Sequence, residues 1–406
     1  MRRSVLRYPN FRRLWASLAA SELGDHFFEV AVAVYALKMH HSALTLGTIL
    51  AVGTLPKMTL GWLVAGVIDK WHKQHVMMAA DWLRMLVVIS LAWFHPLWWA
   101  MSAVFLLQFL GMFFLPASRA ILPETVSPSD LDRANSTLGT TITSLSLVGY
   151  ASASLVVSRF GIAPAFIFDS LTFVISSLWI AQMRLAQSVW RPVAAGPPRF
   201  WQEIWAGVAF HRRQPVVFDL LWLSALGVLA MFSLNVLAGP IAIQRLGRAP
   251  SFYGYLMLAL GLGTVIGAQL THWVGSRLSR RIWVGLGFAT VGAAFLGLVA
   301  AHTLWAGLGC FVLGGVGNML AQIPMRSWIL AETPAEFRGR VFAARSMVIA
   351  VAGGVSMGSA GIASNAWGLG TALAVYGCIG IAAGVGVWLR PALRADSERS
   401  ATRVTG

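Results

Sequence analysis

The chain has 406 residues, 57% of them hydrophobic and only 11% charged, with a formal net charge of +16 at pH 7. A soluble globule carries about 25% charged residues, so this composition excludes one and indicates an integral membrane protein. The basic excess is scattered over short connections and not gathered on one folded face, which excludes a nucleic-acid groove.

Apolar runs of the roughly 20 residues that cross a bilayer recur along nearly the whole chain. Runs such as Val284–Val299 are apolar on all sides, unlike the alternating strands of a membrane barrel. The reading is therefore all-α, with twelve transmembrane helices near residues 14–37, 43–68, 76–95, 97–122, 135–158, 163–185, 216–243, 252–275, 282–300, 303–331, 341–363 and 367–389. Glycines inside them, such as Gly261, Gly263 and Gly267, let helices approach closely. The first apolar run is too long for a cleavable signal and leads directly into more spans. Cys310 and Cys378 both fall within expected helices, so no disulfide framework, metal site or cofactor is expected.

The first helix carries Glu22, Asp25, His26 and Glu29 inside an otherwise lipid-compatible run. At helical spacing these four share one face, and ionisable groups within the hydrocarbon face a protein interior or a water cavity. Further along, Arg and Lys alternate between connections. One set holds Arg2, Arg3, Arg7, Arg12, Arg13, Lys70, Lys73, Arg133, Arg191, Arg199, Arg212, Arg213, Arg277, Arg280, Arg281, Arg338, Arg340 and the tail; the other has little beyond Lys38, Arg159, Arg245 and Arg248. The positive-inside rule then places both termini in the cytoplasm of a bacterial-type inner membrane.

The longest polar connection, with Pro192, Gly196, Pro197 and Pro198, divides the chain into a bundle of six helices over 1–185, a cytoplasmic linker over 186–215, a second bundle over 216–390 and a disordered tail over 391–406. An internal repeat agrees. Pro116, Ile121, Leu122, Glu124 and Thr125 recur at one constant offset as Pro324, Ile329, Leu330, Glu332 and Thr333, at the end of the fourth span of each half.

Several short motifs add a resemblance. They are Asn10-Phe11-Arg12, Leu23-Gly24-Asp25, Gly66 with Asp69-Lys70, Ala80-Asp81 with Arg84, Pro116 and Arg119 near Pro123, Arg133-Ala134-Asn135, and Arg338-Gly339-Arg340-Val341. In their order and placement the chain resembles the major facilitator superfamily, and within it the drug-efflux branch of macrolide efflux proteins and the enterobactin exporter. The resemblance implies two pseudo-symmetric six-helix bundles and alternating access. The chain departs from the family pattern at two places. Gly66 stands one residue nearer Asp69 than usual, with Trp71-His72-Lys73-Gln74 replacing a basic run, and Leu147–Ser154 holds only Gly149 where a glycine-rich stretch ending Gly-Pro is usual.

Candidate site residues follow. Asp69, Asp81, Arg84 and Arg119 are expected near the cytoplasmic surface, where acid among base forms either a gate or a fixed clamp. Arg13 to Asp25 and Asp69 to Lys57 each span twelve residues, roughly 18 Å of helix, so Asp25 and Lys57 reach one depth and are expected to pair. Glu22 and Glu29 are then the carboxylates that alternate between a proton and a cationic substrate. His26 either titrates near neutral pH or is hydrogen-bonded packing. Asn318 and Gln322 either line a cavity or bond between helices, and Asp169 and Asp219 read as helix-end groups.

No Gly-Lys-Ser or Gly-Lys-Thr loop, nucleophile elbow or His-Glu-x-x-His pair occurs, so no enzyme is expected. The leading expectation is a monomeric secondary transporter, working with protons, that exports a hydrophobic or amphipathic, drug-like or siderophore-like small molecule. The rivals are a facilitator of a lysophospholipid or divalent metal ion and a membrane sensor without transport.

Overall fold

The structure is a computed structural model that describes residues 4–40, 42–60, 64, 71–185, 214–274, 278–390 and 393. Among the described residues twelve long helices follow one another: α1 (Pro9–His40), α2 (Ala43–Thr59), α3 (Lys73–Ser90), α4 (Leu97–Thr125), α5 (Leu131–Phe160), α6 (Ala163–Ala181), α7 (Pro215–Pro240), α8 (Tyr253–Val274), α9 (Arg280–Ala300), α10 (Leu304–Glu332), α11 (Arg338–Trp367) and α12 (Leu369–Leu389). Among the described residues nine helices are long and apolar enough to cross a membrane. The remaining three are α1 and α3, which carry the interior charges, and α2, whose described length is 17 residues.

Helix ends differ from the expected ones by several residues where polar sequence continues the helix. Thus α1 begins at Pro9 and takes in Asn10, Arg12 and Arg13, while α11 begins at Arg338. The start of α1 is pinned by Asn10, whose side chain donates to the Arg184 carbonyl at 2.8 Å and accepts from the Arg184 amide at 3.0 Å. The expected linker over 186–215 lies outside the described residues up to 213, and the expected tail lies outside them except for Leu393.

By internal contact the chain forms two compact units. The first comprises Met1–Met39, Val52–Pro198 and Tyr253–Tyr255, the second His40–Ala51, Arg199–Phe252 and Leu256–Gly406. In the first, α3 packs against α4 and α6 around a core that includes Phe11, Leu14, Met77, Phe114, Ile121 and Ile180. In the second, α9 packs against α10 and α12 around Val217, Leu220, Phe288, Met325, Trp328 and Val387. Glycines set the α9 approaches: a Cβ on Gly292 would lie 2.7 Å from the Gly377 carbonyl oxygen, and one on Gly287 would lie 2.7 Å from that of Gly317.

The repeat has a structural counterpart in each unit. The fourth helix ends at a threonine whose hydroxyl donates back into the last turn, Thr125 to the Leu122 carbonyl at 2.7 Å and Thr333 to the Ile329 carbonyl at 2.6 Å. A short 3-10 turn follows in both, Pro128–Asp130 and Ala335–Phe337, before α5 and α11 begin. Those helices end at Gly161 (φ 84°) and Gly368 (φ 81°), backbone conformations that favour glycine.

Candidate functional site

Helix α1 brings three of the four ionisable residues between Glu22 and Glu29 together. His26 Nε2 lies 3.5 Å from Glu22 Oε1 and His26 Nδ1 lies 3.9 Å from Glu29 Oε2, so the imidazole stands between the two glutamates at i−4 and i+3 within ion-pair distance, neither ring nitrogen making a hydrogen bond among the described residues. Helix α5 closes the other side. Tyr150 donates to Glu29 Oε2 at 2.7 Å, and its ring centroid lies 4.4 Å from that of His26. This packing needs Gly149, since a Cβ there would meet His26 Cβ and Cδ2 at 2.9 Å. The lone glycine that stands in place of a glycine-rich motif thus seats the histidine. Tyr253, which clusters with the first unit, lies 3.5 Å from Glu29 Oε1 through its hydroxyl.

Asp25 stands apart from these three. It stands about 60° round the helix from Glu22, is exposed, and comes within electrostatic reach of Arg84 of α3 without forming an ion pair with it. The expected Asp25–Lys57 pair is not formed: among the described residues no ion pair joins Lys57 to a carboxylate. Depth matching placed the two residues at one level but did not fix which helix faces which.

Arg84 and Asp81 also depart from expectation. Arg84 stands eleven residues into α3, about 16 Å along its axis, and is only 7% exposed, so it belongs to the bundle interior and not to a surface gate. Its guanidinium lies over Phe114 at 5.3 Å and Phe173 at 5.5 Å, and its Nη1 is 4.0 Å from Asp81 Oδ1. Asp81 is fully buried and accepts from the Ser176 hydroxyl of α6 at 2.6 Å; Ser176 in turn meets Ser17 of α1 at 2.8 Å. Of the other expected gate residues, Arg119 is exposed and Asp69 lies outside the described residues.

Asp169 is the residue that sequence reasoning undervalued. It is no helix-end group: it stands six residues into α6, is fully buried, and is within electrostatic reach of Asp25, Arg84 and Asp81. Its Oδ2 has no hydrogen-bond partner, and the same holds for Asp81 Oδ1 and Arg84 Nε. Gly24 makes the room, since a Cβ there would collide with Asp169 Oδ1 and Thr172 Oγ1. Two buried carboxylates, Asp81 and Asp169, therefore stand within electrostatic reach of one guanidinium, where low dielectric strengthens every charge interaction. The signal available in sequence was an Asp on a continuous apolar helix.

In the second unit, Gln322 of α10 accepts a hydrogen bond from Arg345 Nη2 of α11 at 2.7 Å, and Asn318, one turn earlier, is half-buried. Asp219 does serve a helix end, pairing with Arg390 at 3.1 Å.

Comparison with known proteins agrees with this architecture. The model of the transmembrane secretion effector family matches residues 3–404. The uncharacterized MFS-type transporter YfiS of Bacillus subtilis (strain 168) is 25% identical over 387 residues, 92% of this chain and 91% of that protein. Macrolide efflux protein A of Streptococcus pyogenes is 22% identical over 350 residues, covering 84% and 86%, and multidrug efflux pump Tap of Mycolicibacterium fortuitum is 26% identical over 383 residues, covering 89% and 91%. The nucleoside transporter NupG shares the fold with a TM-score of 0.79 at 11% identity, over 93% of this chain and 98% of that one; a POT family transporter does so at 0.77 and 10%, over 93% and 95%. The chain belongs to the transmembrane secretion effector family of the major facilitator superfamily, and is a transporter with efflux proteins among its relatives.

Proposed function

We propose that the protein is a secondary active exporter of a hydrophobic or amphipathic small molecule, driven by proton antiport through alternating access, with both termini in the cytoplasm. The observation that carries this reading is the Glu22–His26–Glu29 chain with Tyr150 bonded to its end. A carboxylate that can pass its negative charge to a proton or offer it to a cationic cargo makes the two compete for one site. Losing that charge removes the reason for Tyr150 and His26 to hold Glu29 where they do, so protonation biases one conformation over another. Asp25, Asp81, Asp169 and Arg84 brace α1, α3 and α6 beneath it. The names of the relatives, macrolide and multidrug efflux, support an export direction and a drug-like cargo.

The test uses purified protein in proteoliposomes with an imposed pH gradient and radiolabelled erythromycin as probe. Gradient-dependent erythromycin flux, abolished in Glu29→Gln and strongly reduced in Glu22→Gln, is the expected result. Flux that ignores the gradient, or survives both substitutions, overturns the reading. The same vesicles loaded with a lysophospholipid or with Mn²⁺ report the rival cargoes.

A further inference from the structure

The second unit holds a buried cation for which, among the described residues, no ion pair is formed. Arg345 stands seven residues into α11 and is 5% exposed. Its Nη2 donates to Gln322 Oε1 at 2.7 Å, while its Nε has no hydrogen-bond partner. The charged group that acts on it is another cation, Arg326, one turn beyond Gln322 on α10. Counter-anions are scarce throughout: helices α7 to α12 carry two carboxylates only, Asp219 and Glu332. Asp219 is taken by Arg390, and Glu332 is the last residue of α10, about 15 Å along the helix from Gln322.

A guanidinium withdrawn from water costs free energy unless an anion meets it, and a neutral amide fixes its orientation without supplying charge. The planar fork of arginine matches the two oxygens of a carboxylate or phosphate. The helices that carry Arg345 and Gln322 also supply Met325, Trp328, Val341 and Phe342 to the apolar core of the unit, so the charge stands on otherwise apolar elements. We infer that Arg345, held by Gln322 and reinforced by Arg326, is a recognition site for the oxyanion group, carboxylate or phosphate, of an amphipathic cargo. The inference rests on the export reading for an amphipathic cargo and adds an oxyanion group to the cationic one that reading gives it, and its test does not require transport.

The experiment is calorimetric titration of the full chain in phosphatidylcholine nanodiscs with 2-naphthoate and its neutral isostere 2-naphthamide. Wild type is expected to prefer the naphthoate by about tenfold, the value of a charge-assisted hydrogen bond. Arg345→Gln should bring the ratio below about twofold, and Gln322→Leu should leave an intermediate ratio because the fork loses its aim. Competition by inorganic phosphate confirms the oxyanion chemistry. Loss of naphthoate binding in phosphatidylglycerol nanodiscs assigns the site to a lipid headgroup and overturns the cargo; unchanged binding there supports it. Equal affinities in wild type, or a preference that survives Arg345→Gln, overturn the site. Should Arg345→Gln fail to fold, the wild-type ratio and Gln322→Leu decide. Export failing while the naphthoate preference stands overturns the transport reading alone.

Discussion

The two units bury opposite charges. The first buries Asp81 and Asp169 near Arg84 and seats His26 between Glu22 and Glu29. The second buries Arg345 against an amide and a second arginine. Among the buried charged residues, carboxylates outnumber arginine in the first unit, the material of proton exchange, while in the second Arg345 is buried without an ion pair among the described residues, the material of anion recognition. The same residue type, a deeply buried arginine, is thus a counter-charge in one place and an unanswered charge in the other.

Substitutions can break this contrast. Removing Arg84 strands Asp81 and Asp169 without their cation, so Arg84→Met should destabilise by about 3–5 kcal/mol in chemical denaturation, and adding Asp81→Asn should recover part of that loss. An unchanged double variant would mean that Arg84 stabilises through its stacking on Phe114 and Phe173 instead. Gly149→Val places methyl groups where His26 lies, costing about 1–3 kcal/mol by overpacking and abolishing gradient-driven flux even where the protein still assembles. Tyr150→Phe removes one hydrogen bond to a carboxylate, worth about 1.5–3 kcal/mol in general, and is expected to shift the pH profile of transport more than its maximal rate. The smallest effect belongs to Arg345→Met, which relieves a buried charge and forfeits one hydrogen bond, for a change no worse than about 1 kcal/mol. A loss as large as that of Arg84→Met would show that Arg345 has an intramolecular counter-charge after all.

The twelve helices were legible because hydrocarbon thickness dictates long apolar runs. Their ends were less so, because Asn10 and Arg12 at one boundary and Arg338 at another continue a helix into polar surroundings at no cost. Within the site, the Glu22–His26–Glu29 chain could be read from spacing alone, since i, i+4 and i+7 share a face. What spacing cannot state is which helices face each other. That is why Asp25 was matched to Lys57, with which it makes no ion pair, why Arg84 and Asp81 were assigned to a surface gate, and why Asp169 was taken for a helix end. Arg345 was passed over for a related reason: among so many arginines that set topology, nothing local distinguishes one turned into the bundle.

The measurement that tests the central claim most directly is proton release on cargo binding, followed in weakly buffered solution at pH 7 as erythromycin is titrated into the purified protein. Wild type should release protons as erythromycin binds, to an extent that depends on pH, because cargo and proton compete for the same carboxylates. The Glu22→Gln, Glu29→Gln double variant should release none. Undiminished release from that variant would contradict the assignment of proton coupling to the α1 chain.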